Sequence, residues 1–99
     1  MEIEIPFSPE MAKAVFEGRK ICTSRNKRYG KEAEQFEVEG KTFFLVAVMC
    51  LPLAHVARFL YVAEGFNYPD EFIATWNKLH PRKVFEPEHL VWVHFFEAV

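Results

Sequence analysis

The chain opens with apolar and acidic residues in alternation, Ile3 and Ile5 set between Glu2 and Glu4, and this period of two predicts a short strand over residues 2–5. Ser8-Pro9-Glu10 supplies an N-cap hydroxyl, a proline at the first helical position and an early acid, so a helix starts there. Met11, Ala14 and Val15 form its apolar stripe and Gly18 ends it. Lys20 to Arg25 is too short for another helix and contains β-branched Ile21 and Thr23, which predicts a second strand. A polar loop around Tyr29-Gly30 spans residues 26–33, after which Phe36 and Val38 alternate with Glu37 and Glu39 as a half-buried strand. Glu39-Gly40 is the turn of a hairpin whose second arm, Lys41 to Cys50, is continuously apolar and so predicts burial on both faces. Pro52 stops that arm. Leu53, Val56, Ala57, Leu60 and Tyr61 then recur at helical spacing, predicting a helix that ends near Gly65. A third helix opens at Asn67-Tyr68-Pro69-Asp70-Glu71, buries Phe72, Ile73, Trp76 and Leu79, and stops at His80-Pro81. Beyond a loop over residues 82–89, Leu90 to Phe96 alternates Val91, Val93 and Phe95 with Trp92, His94 and Phe96 as a last strand.

About five strands and about three helices predict an α+β domain, its small, mostly antiparallel sheet curled into a barrel; an open α+β sandwich fits the same periodicity. The 99 residues suit a single domain, residues 1–99, and 11 Phe, 2 Trp and 3 Tyr supply bulk for one core. The longest apolar run, Phe43 to Leu53, covers 11 residues, short of the roughly 20 needed to cross a bilayer, so no membrane partner is expected. The start lacks the basic and apolar regions of a secretory signal, which makes a cytoplasmic location the expectation.

Charge changes the picture locally. The net charge is -2, yet Arg19, Lys20, Arg25, Lys27, Arg28 and Lys31 are six of the twelve cationic residues, with no acid between 19 and 31. Such a patch suits phosphate, and Tyr29 beside Arg28 suits a stacked, unpaired base. In the strand, Ile21, Thr23 and Arg25 face one way and Lys20, Cys22 and Ser24 the other. Lys20 stands at the helix-to-strand corner, from which its long side chain could reach the Thr23 hydroxyl and orient or deprotonate it. Glu64 falls at the C-terminal end of the second predicted helix, where the macrodipole disfavours a carboxylate and a cationic partner is required. The four histidines and two cysteines match no metal spacing, so neither a metal nor a cofactor is expected. Cys22 and Cys50 read as buried or partly buried thiols, and Trp76 and Trp92 as core.

Gly18-Arg19-Lys20-x-x-Thr23-x-Arg25 resembles the signature of the ASCH family, a helix ending in Gly-x-Lys followed by a strand carrying Thr-x-Arg. Tyr29-Gly30-Lys31 with Phe36-x-Val38 is similar to that family's loop and next strand, with Gly30-Lys31 in place of the customary Gly-Asp. Leu60-Tyr61-x-x-Glu64-Gly65-Phe66, Pro69-x-Glu71-Phe72-x-x-x-Trp76 and Val91 to Phe96 extend the resemblance over nearly the whole chain. It implies a PUA-like β-barrel whose cleft beside the signature strand takes RNA, modified nucleosides or related ligands. Some small members look like amidohydrolases that deacetylate N4-acetylcytidine with a Lys, a Thr and a Glu, which fall here on Lys20, Thr23 and Glu64. Three readings follow. The first is a binding module using Arg19, Lys20, Thr23, Arg25, Lys27, Arg28, Tyr29 and Lys31 for RNA or a nucleoside. The second is an amidohydrolase with Thr23 as nucleophile, Lys20 as activator or oxyanion partner and Glu64 as proton shuttle. The third is a protein-interaction module presenting an aromatic surface at Phe95 and Phe96.

Overall fold

The computed structural model describes residues 2–99 and contains, in chain order, α1 (Pro9–Phe16), β1 (Cys22–Arg25), β2 (Gln35–Val38), β3 (Lys41–Pro52), α2 (Leu53–Phe59), α3 (Pro69–Leu79) and β4 (Leu90–Ala98). The four strands form one antiparallel sheet in the order β1-β4-β3-β2. The expected strand over residues 2–5 is absent as a ladder. Ile3 N–H donates to Gln35 O at 2.7 Å and Glu2 makes a single parallel bridge to Gln35, after which Pro6 brings no N–H to extend the pairing. The alternation nevertheless reports burial correctly, since Ile5 is in the core while Glu2 and Glu4 face outward.

Local chemistry fixes the corners. Ser8 Oγ accepts from Met11 N–H at 3.3 Å at the start of α1. At its end Arg19 N–H reaches Ala14 O and Gly18 N–H reaches Val15 O, the paired bonds of a Schellman turn, with Gly18 at φ +82°. Glu39 and Gly40 both adopt positive φ, 54° and 80°, as a two-residue hairpin turn requires. Glu71 Oε1 accepts from the Asn67 and Tyr68 N–H groups and so caps α3.

A β-bulge between Leu45 and Ala47 shifts the register of β3 against β4, and the sheet is packed on both faces. One face joins α1 and the amino-terminal segment through Ile5, Ala12, Val15, Phe36, Val38, Phe43, Leu45 and Phe96. The other joins α2 and α3 through Leu53, Val56, Ala57, Phe72, Trp76, Val91, Val93 and Cys22. Phe96 is buried, edge-on to Phe36 at 5.4 Å, and Phe95 is half-buried against the second core. The aromatic surface expected at these two residues is therefore core, because both sheet faces are covered. β3 departs from expectation the other way: β2 pairs only with its first four residues, and Val46 and Met49 beyond them are exposed. Cys50 is likewise exposed, whereas Cys22 is buried.

Candidate functional site

The helix α2 stops at Phe59, not near Gly65, and residues 60–65 wind on as irregular turns. Gly65 closes them at φ +100°, with Phe66 N–H donating to Tyr61 O. Glu64 thus sits in a turn, so the helix-dipole argument for its partner does not apply. Its partner is instead set by the approach of this turn to β1, where Ile21 and Cys22 N–H groups both donate to Ala63 O. Lys20 Nζ then donates to Glu64 Oε1 at 2.9 Å and to the Glu64 carbonyl oxygen at 3.0 Å. Both side chains are 3 % exposed.

Strand alternation sends Lys20, Cys22 and Ser24 to this same side. Ser24 Oγ donates to Glu64 Oε2 at 2.6 Å, and the Cys22 thiol lies 3.8 Å from that oxygen. Burial, and secondarily the Glu64 charge, push the Cys22 thiol far above its ordinary pKa, so it remains a thiol. Ser24 was not singled out from the sequence; the signal that could have found it is its place two residues from Cys22 and four from Lys20 on one strand face.

Thr23 and Arg25 occupy the opposite face. Thr23 Oγ1 accepts from Arg25 Nε at 3.1 Å and is not hydrogen-bonded to Lys20 or Glu64. The Arg25 guanidinium also donates to Pro6 O at 2.6 Å and lies over the rings of Phe7 and Tyr29, at 5.1 and 5.6 Å; burial lowers its pKa. Beneath Tyr29, His94 is fully buried: its Nε2 accepts the Tyr29 N–H at 3.0 Å, which leaves the proton on Nδ1, 3.3 Å from Thr23 O. Burial lowers the His94 pKa and keeps the ring neutral at pH 7.

Because β1 is an edge strand, side chains of both faces line one cavity of about 380 Å³. Phe7, Met11, Trp76 and His80 line it together with Lys20, Thr23, Ser24 and Glu64. Backbone parity contributes too. Phe96 N–H donates to Ile21 O, so the Ile21 carbonyl and the backbone groups of Thr23 and Arg25 turn to β4, while Ser24 turns its own to the cavity edge. Trp76 is core, as expected, but also lines the cavity, and its buried Nε1 has no hydrogen-bond partner among the described residues.

Of the cations expected at the site, Lys20, Arg25 and Lys27 line the cavity, Lys27 with its ammonium 4.6 Å over the Tyr29 ring. Arg19, Arg28 and Lys31 lie outside it. Arg19 pairs with Glu17 at 2.7 Å, and Arg28 donates to Gly30 O and lies over Trp92, which is only half-buried. No cluster of three metal-ligating side chains occurs among the described residues, and no helix there is long and apolar enough to cross a membrane.

No protein-family model matches the sequence, and no curated protein matches it. Solved structures do. An ASCH domain from Lactobacillus crispatus JV V101 superposes with a TM-score of 0.66 at 10 % identity, over 98 % of this chain and 77 % of that one. A DUF984-family protein from Enterococcus faecalis V583 gives 0.64 at 21 % identity, over 91 % and 70 %. The chain has the fold of an ASCH domain, realised here with a curled four-stranded sheet and three helices rather than five strands.

Proposed function

We propose that the cleft binds a nucleoside-type ligand, free or within RNA, with the base inside the cavity. The observation that carries this reading is the buried Lys20–Glu64–Ser24 cluster opening into a cavity flanked by Phe7, Tyr29 and Arg25. A buried ion pair neutralised within the cluster presents a remaining Lys20 proton and the Ser24 lone pairs rather than free charge, which suits the polar edge of a base. Lys27, Arg28 and Lys31, nearer the solvent, suit the phosphates of a longer strand, with Arg19 on the helix side. Titration of the purified chain with N4-acetylcytidine, cytidine and a short single-stranded RNA tests this. Binding is expected for at least one of the three, and RNA affinity should fall with salt less steeply in Arg28→Ala/Lys31→Ala. Absence of binding to all three at low salt overturns the reading.

Hydrolysis of an N4-acetylated cytidine is a second reading, supported by Lys20, Thr23 and Glu64 lining the same cavity. Thr23 would attack the acyl carbon, its hydroxyl proton passing by way of Glu64 to the departing cytidine nitrogen as the C–N bond breaks, and water would then cleave the acyl-Thr23 ester to release acetate and restore the hydroxyl. Chromatographic turnover by the wild type beside Lys20→Ala, Thr23→Ala and Glu64→Ala tests it; full activity in Thr23→Ala rejects the nucleophile.

A further inference from the structure

We propose that Ser24 is a specificity-determining residue of the cleft, an obligate acceptor that selects a ligand carrying an amino or amide N–H over one carrying a carbonyl in the same place. The inference rests on the nucleoside-type reading and adds to it which ligand edge is preferred. A serine hydroxyl has one proton and two lone pairs. Here the proton is committed to Glu64 Oε2 across 2.6 Å, a short bond to an ionised acceptor. Glu64 cannot turn away, because Lys20 holds its other carboxylate oxygen at 2.9 Å and its main-chain carbonyl at 3.0 Å. Ser24 is 8 % exposed and lines the cavity, so what it has left for a ligand is lone pairs.

The carboxylate beside it is also an acceptor only. The donors that remain beside it are the third proton of Lys20, two being used by Glu64, and the Thr23 hydroxyl, whose oxygen accepts from Arg25 and whose side chain lies on the other face of the strand. A carbonyl placed against Ser24 would set lone pair against lone pair, whereas an N–H completes the chain from ligand to Ser24 to Glu64. Sites that hydrogen-bond one group reject its isostere strongly, because the buried polar atom is left unpaired. Position 24 is one of the open positions of Gly-x-Lys-x-x-Thr-x-Arg, so the signature itself does not assign it a role.

Cytidine and uridine present an amino group and a carbonyl at the same ring carbon, which makes them suitable probes. Calorimetric titration of the purified chain should show cytidine binding about tenfold or more tightly than uridine. Ser24→Ala should bring the two within about twofold, while Ser24→Thr, which keeps a hydroxyl, should preserve the preference. Ser24→Cys keeps the volume but has a weak acceptor, and its expected loss of preference decides the matter should the alanine variant fail to fold. No cytidine preference in the wild type, or an unchanged ratio in Ser24→Ala or Ser24→Cys, overturns the role of Ser24 and leaves nucleoside binding standing. No binding of cytidine, uridine, N4-acetylcytidine or a short single-stranded RNA by the wild type overturns both.

Discussion

Lys20 Nζ reaches two oxygens of Glu64, one on its side chain and one on its main chain, across 44 residues of sequence. The pair therefore fastens the turn after α2 to the start of β1 as well as shaping the cavity. Removing one partner leaves a buried charge uncompensated, at a cost of about 3–5 kcal/mol. Lys20→Met and Glu64→Leu should each lower the unfolding free energy measured in urea by that much, and the double variant should recover a large part of it. Additive losses in the double variant would show that the two residues are not coupled.

Gly65 supports the same junction. A Cβ there would sit 3.2 Å from Lys20 Cβ, and φ is +100°, where an L side chain is strained. Gly65→Ala is expected to destabilise by about 1–3 kcal/mol and to weaken ligand binding by displacing Lys20. Chemical denaturation and calorimetry check the two effects separately.

His94 predicts an acid sensitivity. Its pKa is lowered in the fold, so below its ordinary value of 6.5 the unfolded chain binds a proton that the folded chain resists. Stability present at neutral pH should then be lost progressively as pH falls through 6.5 toward the lowered folded-state value. Protonation of the folded ring also removes the acceptor for the Tyr29 N–H, so the protection of that amide, measured against its intrinsic exchange rate, should fall at pH below the lowered His94 value. His94→Gln should flatten the pH dependence of stability; an equal slope would assign it to other groups.

The two thiols should differ sharply. Cys50 is exposed and Cys22 is buried beside the Glu64 carboxylate, which disfavours its thiolate. A disulfide reagent should modify one thiol per native chain quickly and the second only on unfolding.

Local pattern carried the fold well where it acted through short-range rules. The α1 cap at Ser8, the Gly18 exit, the Glu39-Gly40 turn and the split of Lys20, Cys22 and Ser24 from Thr23 and Arg25 are all read from spacing alone. Long-range contacts were not legible. Nothing local to Glu64 says that helix α2 stops five residues earlier or that Ser24 is its partner, because that turn is fixed by backbone bonds from Ile21 and Cys22 to Ala63. Phe95 and Phe96 look like a surface pair until α2 and α3 on one side and α1 on the other cover both faces of β4. Residues 2–5 likewise alternate as a strand does, but pair through a single bridge.

That short segment does something a fifth strand would not. β1 and β2 are the two rims of the sheet, separated by β4 and β3, and the chain from Ile3 to Pro6 touches both, donating to Gln35 on β2 and accepting from Arg25 on β1. It acts as a hoop drawn across the open side of a half-closed barrel. Pulling one rim is therefore felt at the other, and loosening residues 3–6 would release Arg25 from the Pro6 carbonyl and change the width of the cleft mouth while leaving the Lys20–Glu64–Ser24 bonds in place.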